Sequence, residues 1–307
     1  MTRIASFGQQ NLLIQNTLRN QSRLFETQQQ VTTGKKASSF RALSPDVQAS
    51  LSARRSRSAT ATFLETVKSV RQTVDFYDVQ LSAVSGAAEG LQDAIRTAIA
   101  QEDARGLISE LKQSFSSIVS ALNTRINGVF IFGGSNSDQP PVNVTTIADL
   151  QALASASDAF DNNSDKQKAV VAEGIELTYG IVASDVAEKI LTSIKAIADF
   201  DSGAGGPLDG PLTAAQRSFL EGELANLDTA IGDARAKQVE NGLNANRLKE
   251  VQQQHEEAFN FLDGLVSELE DVNMAEAISR LNQNQVALEA SFRAIGTLSQ
   301  LTLVNFL

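Results

Sequence analysis

Residues 67–98 read VKSVRQTVDFYDVQLSAVSGAAEGLQDAIRTA, and the spacing of their apolar side chains decides the fold. Val67, Val70, Val74, Tyr77, Leu81, Val84, Ala88, Leu91, Ile95 and Ala98 follow one another at steps of three and four without a break. That is the period of one face of an α-helix. At 1.5 Å per residue the stripe alone is about 48 Å long, too long for an ordinary globular helix. A heptad stripe of this kind is most often core, and this one reads as core.

Outward from it, Leu107, Leu111, Phe115, Ile118, Leu122 and Ile126 mark one face of a second helix, broken by Asn127-Gly128. The pattern then changes. Val129-Phe130-Ile131-Phe132 before Gly133-Gly134 predicts a short strand into a turn, and Gln139-Pro140-Pro141 an extended exit. A short helix is expected near Ala148–Leu153, a polar stretch at Ser155–Lys168, and strands at Ala169–Ala172 and Ile175–Val182. Residues 129–182 thus form a small α+β insertion. Helix returns at Ser184–Phe200, with Val186, Ile190, Ile194 and Ile197 on one side. Asp201 to Pro211, rich in Gly and Pro, is expected to be a flexible connection. From Thr213 the chain reads as helix almost to its end, with Leu248, Val251, His255, Ala258, Leu262, Leu265, Leu269 and Val272 as its seam.

The two ends carry seams of their own. Ile4, Phe7, Asn11, Ile14, Leu18, Gln21, Phe25 and Gln28 keep the same spacing, interrupted by three polar residues that restrict register at a cost in stability. Seven glutamines between residues 9 and 30 make this helix marginal by itself. Thr32-Thr33-Gly34 ends it, Gly34 suiting a left-handed C-terminal position. A loop over 35–46 places Pro45 at the start of the next helix. At the other end, Met274, Ile278, Leu281, Gln285, Leu288, Phe292, Ile295 and Leu298 lead to Leu301, Leu303, Phe306 and Leu307. A terminus so apolar needs a partner.

Composition excludes most chemistry. There is no cysteine and a single histidine, His255, which rules out thiolate metal sites and His-based triads with a second histidine. His255-Glu256-Glu257 lacks the second histidine of a zinc-protease helix, Phe259 standing in its place, so His255 reads as a packed seam residue. Glu256/Glu257 and Glu270/Asp271 are adjacent and diverge around a helix, so neither is an acid–base pair. Gly203-Ala204-Gly205-Gly206-Pro207 has no phosphate-loop spacing. No catalytic residue, cofactor or metal is expected. With no Trp and 6% aromatics, the composition suits thin seams between helices rather than a wide core. The net charge of −10 is uneven: residues 1–57 hold nine Lys/Arg against Glu26 and Asp46, and the remainder holds 17 basic and 34 acidic residues. Solvated faces with weak attraction between a basic start and an acidic end are expected, with no nucleic-acid platform. Met1 to Leu18 has no apolar run of signal-peptide or membrane-spanning length, so a cytosolic protein, or export by a route that reads no such signal, is expected.

Three stretches then carry a resemblance. Gln28-Gln29-Gln30-Val31-Thr32-Thr33-Gly34-Lys35-Lys36 resembles the segment closing the first helix of bacterial flagellins and their junction relatives. Met274-Ala275-Glu276-Ala277-Ile278-Ser279-Arg280-Leu281 and Gln285-Val286-Ala287-Leu288-Glu289-Ala290-Ser291-Phe292 resemble that family's C-terminal helix. Asn127 to Gly134 with Asp138-Gln139-Pro140-Pro141, and the ending Leu303-Val304-Asn305-Phe306-Leu307, are similar to its hook-associated, hook–filament junction branch. The resemblance implies a mainly α, elongated helical rod with paired N- and C-terminal coiled-coil helices and a small α+β insertion. It divides into 1–34 with 270–307 as the assembly domain, 35–128 with 184–269 as the rod, and 129–183 outermost. It further implies a structural flagellar subunit, exported by the type III route with a chaperone and secreted to the flagellum. There it forms a homo-oligomeric ring, in contact with a sister junction protein and with flagellin. A filament flagellin, or an exported helical effector with a site in the insertion, are the alternatives. The implied assembly residues are Ile4, Phe7, Ile14, Leu18, Phe25, Ile278, Leu281, Leu288, Phe292, Ile295, Leu298, Leu301, Leu303, Phe306 and Leu307.

Removing residues 296–307 is therefore expected to leave a folded, soluble chain that no longer enters flagella, read by sedimentation of isolated flagella from a complemented strain.

Overall fold

The structure, a computed structural model, describes the chain apart from Met1, residues 40–42, 44–45 and 305–307; of residues 2–7, 9–10 and 298–304 it describes the backbone alone. The chain is mainly α. In order come α1 (Thr2–Thr33), α2 (Val47–Gln101), α3 (Leu107–Leu122), β1 (Arg125–Ile126), β2 (Val129–Phe130), α4 (Ile147–Ala152), β3 (Lys168–Ala172), β4 (Ile175–Thr178), α5 (Ala183–Ser202), α6 (Ala214–Glu270) and α7 (Met274–Val304). Short 3-10 turns occupy Ile131–Gly133 and Ala156–Ala159. The helices α2 and α6 hold 55 and 57 residues. Two compact units result: Met1–Thr60 with Glu257–Leu307, and Ala61–Glu256.

In the second unit every residue of the stripe from Val67 to Ala98 is buried, at 5% exposure or less. The α3 face of Leu107, Leu111, Phe115, Ile118 and Leu122 and the α5 face of Val186, Ile190, Ile194 and Ile197 join the same core. Facing α2, α6 supplies Leu220, Leu227, Ala230, Ile231 and Ala234. The pairing is antiparallel: Gln92 meets Asp228, Glu89 meets Arg235, and Val74 accepts a 2.8 Å hydrogen bond from Asn241 Nδ2. Tyr77, fully buried, donates to the Ile131 carbonyl at 2.5 Å and packs edge-on to Phe132, centroids 5.0 Å apart. One aromatic pair thus ties the insertion to the long helix. Burial holds the Tyr77 hydroxyl neutral, its pKa raised well above the ordinary value.

The insertion and the segment leading into it have the expected mixture of a short helix and strands, with four differences, one being that the strand expected over Val129–Phe132 gives way after Phe130 to the 3-10 turn at Ile131–Gly133. The helix that the spacing runs through Ile126 stops at Leu122. Asn123 turns its amide to the backbone of Val142 instead, donating to its carbonyl at 2.9 Å and accepting from its N–H at 3.0 Å. Ile126 belongs to β1, which pairs with β2 across the turn at Asn127 (φ 52°) and Gly128 (φ 85°). Two central residues of positive φ are what a tight hairpin turn demands. The second hairpin pairs β3 with β4 and ends at Thr178, short of Val182.

The connection from Asp201 to Pro211 is not the flexible segment expected from its composition. Leu208 is buried and its N–H donates to Asp201 Oδ1 at 2.7 Å. Gln216 donates to the carbonyls of Gly205 and Pro207, and Ala104 N–H to that of Gly210. A Cβ on Gly206 would lie 1.8 Å from the Asp201 carbonyl oxygen, so glycine here serves close approach rather than freedom. Helix is likewise interrupted once after Thr213, between Glu270 and Met274.

His255 packs where its seam position put it. Its ring stacks on Phe63 at 5.7 Å, and Nε2 donates to the Val171 carbonyl at 2.7 Å, fastening the second hairpin to α6.

Leu91→Ala in the buried stripe is expected to destabilise by about 2–5 kcal/mol in urea unfolding, whereas Val79→Ala, at a 61% exposed site, stays within about 0.5 kcal/mol.

Candidate assembly site

In the first unit α1 pairs with α7. The inner face of α1 is Leu13, Thr17, Asn20, Leu24, Thr27 and Val31, all buried or half-buried and spaced by four and three. The inner face of α7 is Ala277, Leu281, Asn284, Leu288, Ser291 and Ile295. Asn20 Nδ2 donates to Ser291 Oγ at 2.9 Å, and Asn284 Nδ2 to Thr27 Oγ1 at 3.1 Å. The two bonds lie seven residues apart on both helices and run in opposite chain directions, so the pair is antiparallel with heptad packing. Three of the six inner positions on α1 are polar, so little apolar area closes this seam.

That seam is offset by one residue from the α1 stripe read in the sequence. Ile14, Leu18 and Phe25 lie outside it, at 43%, 59% and 65% exposure. On α7, Leu281, Leu288 and Ile295 are half-buried against α1, while Ile278 and Phe292 are exposed. With the inner positions as a and d, Ile14, Ile278 and Phe292 fall at e, and Leu18 and Phe25 at b. In an antiparallel pair the e positions of both helices flank the same side of the seam. Helix geometry therefore gathers these five apolar side chains onto one flank. Of the other expected residues, the side chains of Ile4, Phe7, Leu298, Leu301 and Leu303, and the whole of Phe306 and Leu307, lie outside the described residues.

Where α1 ends and α7 begins, the two chain segments form a short ribbon. Gly34, at φ 70°, turns the chain out of α1. Lys36 N–H then donates to the Glu270 carbonyl at 2.6 Å, and Val272 N–H to that of Gly34 at 2.9 Å. Beneath the ribbon the Glu270 carboxylate is buried, 3% exposed. It accepts from Ser50 Oγ at 2.6 Å and from Arg54 through two guanidinium nitrogens, with Lys35 Nζ at 3.7 Å. The Arg54 hydrogen bonds, aided by Ser50, outweigh burial and hold the Glu270 carboxyl down at about 2. Asp271 turns away to Lys35 Nζ, 2.5 Å distant, which lowers its pKa too. The adjacent carboxylates thus share Lys35, while Arg54 binds Glu270. Arg57–Asp263, at 2.6 Å, adds a third link between the basic start and the acidic end.

Sequence reading missed Asn20, Thr27, Asn284 and Ser291, although their heptad spacing one step beside the apolar stripes was a signal. For the Arg54–Glu270 pair, 216 residues apart, no local pattern points to a partner. Among the described residues no group of three His, Asp or Glu could hold a metal, and no helix is long and apolar enough to cross a membrane.

Residues 224–307 match the family of the bacterial flagellin C-terminal helical region. No curated protein matches the chain. A solved structure assigned as a flagellar hook-associated protein from Vibrio parahaemolyticus is similar over 72% of this chain and 96% of that one, with a TM-score of 0.59 at 22% identity. FlgL of Bacillus cereus is similar over 70% of this chain and 98% of that one, with a TM-score of 0.57 at 12% identity. At such identities the likeness establishes a shared fold.

Because the folded-state pKa of Glu270 lies below its ordinary 4.5, its contribution is complete above that value and fades as pH falls toward about 2. Glu270→Gln is expected to cost on the order of 2 kcal/mol at pH 7, discounted for the half-exposed Arg54, and almost nothing at pH 2, by paired denaturant titrations.

Proposed function

We propose that this chain is a structural subunit of the bacterial flagellum that joins hook to filament, a junction protein of the hook-associated kind most like hook-associated protein 3. One observation carries the reading. In a chain whose fold is shared over 72% of its length with a flagellar hook-associated protein, the terminal helices leave Ile14, Leu18, Phe25, Ile278 and Phe292 exposed on one flank of the α1/α7 pair. Apolar side chains gathered on one flank in water call for a cover, and helices of neighbouring subunits in a ring supply one of matching period. The polar inner seam makes the pair weak alone, which suits a chain that crosses an export channel unfolded and orders on assembly. In this reading a sister junction protein lies on the hook side, flagellin on the other, an export chaperone shields the apolar ends beforehand, and no reaction is catalysed.

A filament flagellin is the second reading, favoured by the match of residues 224–307 to the flagellin C-terminal region. Labelled protein on isolated flagella separates them. A single band at the hook end, together with shedding of flagellin monomers when the chain is deleted, supports the junction. Staining along the whole filament, with filaments lost altogether on deletion, replaces it with the flagellin reading.

A further inference from the structure

The first helix offers α7 two faces about 100° apart. One, with Ile14, Leu18, Gln21, Phe25 and Gln28, holds the larger apolar side chains along with two glutamines; the other, with Leu13, Thr17, Asn20, Leu24, Thr27 and Val31, is the face that α7 covers. Apolar area alone would favour the first. What marks the second is its hydrogen bonding. In each layer the hydroxyl both accepts and donates: Ser291 Oγ accepts from Asn20 and donates to the Ala287 carbonyl at 2.7 Å, and Thr27 Oγ1 accepts from Asn284 and donates to the Arg23 carbonyl at 2.6 Å. Both layers are matched in one register only. A slip of one heptad sets Thr27 opposite Ala277 in one direction, or Asn20 opposite Leu298 in the other, and leaves an amide or hydroxyl without its partner.

We propose that Asn20–Ser291 and Thr27–Asn284 select the register and the face of the α1/α7 pair. They hold the polar face inward in a single antiparallel alignment, and so keep the apolar flank from being consumed within the chain. Polar groups at seam positions commonly trade stability for uniqueness of pairing in this way. Register selection is a property of the isolated chain; that the spared flank then meets neighbouring subunits rests on the assembly reading above.

The chain has no cysteine, so disulfide trapping in the full-length monomer at high dilution reads the register without background. Leu24→Cys with Leu288→Cys reports the observed alignment. Leu24→Cys with Leu281→Cys, and Leu24→Cys with Ile295→Cys, report slips of one heptad either way. In the otherwise unchanged chain the first pair is expected to close about tenfold more than either slipped pair, the combined effect of leaving the half-buried amides of Asn20 and Asn284 without their hydroxyl partners and of breaking the ribbon. Making both layers apolar (Asn20→Leu, Ser291→Ala, Thr27→Val, Asn284→Leu) is expected to raise closure of the slipped pairs several-fold, short of the first pair because the ribbon of Gly34 and Lys36 with Val272 and Glu270 still favours the observed alignment. Exchanging partners within each layer (Asn20→Ser with Ser291→Asn, Thr27→Asn with Asn284→Thr) is expected to restore the single register. Slipped pairs that close freely in the unchanged chain, or an apolar variant in which slipped closure does not rise, overturn the proposal. Should the apolar variant not fold, slipped closure in the exchanged variant overturns it as well. None of these readouts involves flagella, so failure here leaves the junction reading to its own test.

Discussion

A helix with one unbroken apolar stripe must have that stripe covered along its whole length, and the second unit is arranged around this demand of α2. From Val67 to Ala98 no stripe residue is left in water. No single element covers so long a face. The β3/β4 hairpin and Leu248 of α6 close on Val67, Val70 and Val74; α3, α5, the insertion and the Leu220–Ala234 stretch of α6 close on the stripe from Tyr77 onward. Tyr77 stands where the two clusters meet, and its hydroxyl is satisfied by a carbonyl of the insertion rather than by water. Burying so large an aromatic is favourable only because that one polar atom has a partner.

The first unit obeys the opposite rule. Its α1/α7 seam places hydroxyls and amides at inner positions and leaves large apolar side chains outside. By burial alone this is the poorer choice, and the hydrogen-bonded layers make it the determinate one. The clamp around Glu270 belongs to the same logic. A buried carboxylate is tolerable where a guanidinium, a hydroxyl and an ammonium surround it, and losing one partner costs more than the set contributes in net stability.

Much of this was legible in the residues. Steps of three and four named the buried faces of α2, α3 and α5 residue by residue, because a core face repeats with the helix itself. The hairpin of β3 and β4 was foreshadowed by apolar runs on either side of Glu173-Gly174. Composition misled at Asp201 to Pro211, where Gly and Pro signalled freedom. Gly206 is instead required by the nearness of the Asp201 carbonyl, a fact of packing with no trace in a local window. Spacing misled at Ile126, because Asn123 found a backbone partner in Val142 that helix periodicity cannot foresee.

For the candidate site, the sequence by itself determined which segments are helices, that both ends carry helical seams, and which apolar residues share a stripe. Those follow from chain-local geometry, the 3.6-residue turn and the polarity of each side chain. Only the tertiary structure decided which of two neighbouring stripes on α1 turns inward, and that Arg54, Ser50 and Lys35 converge on Glu270. The physical reason is the same in both cases. A face is inward only with respect to a partner, and a buried charge or amide is stable only beside the group that satisfies it. For Asn20 and Arg54 those groups lie more than two hundred residues away along the chain.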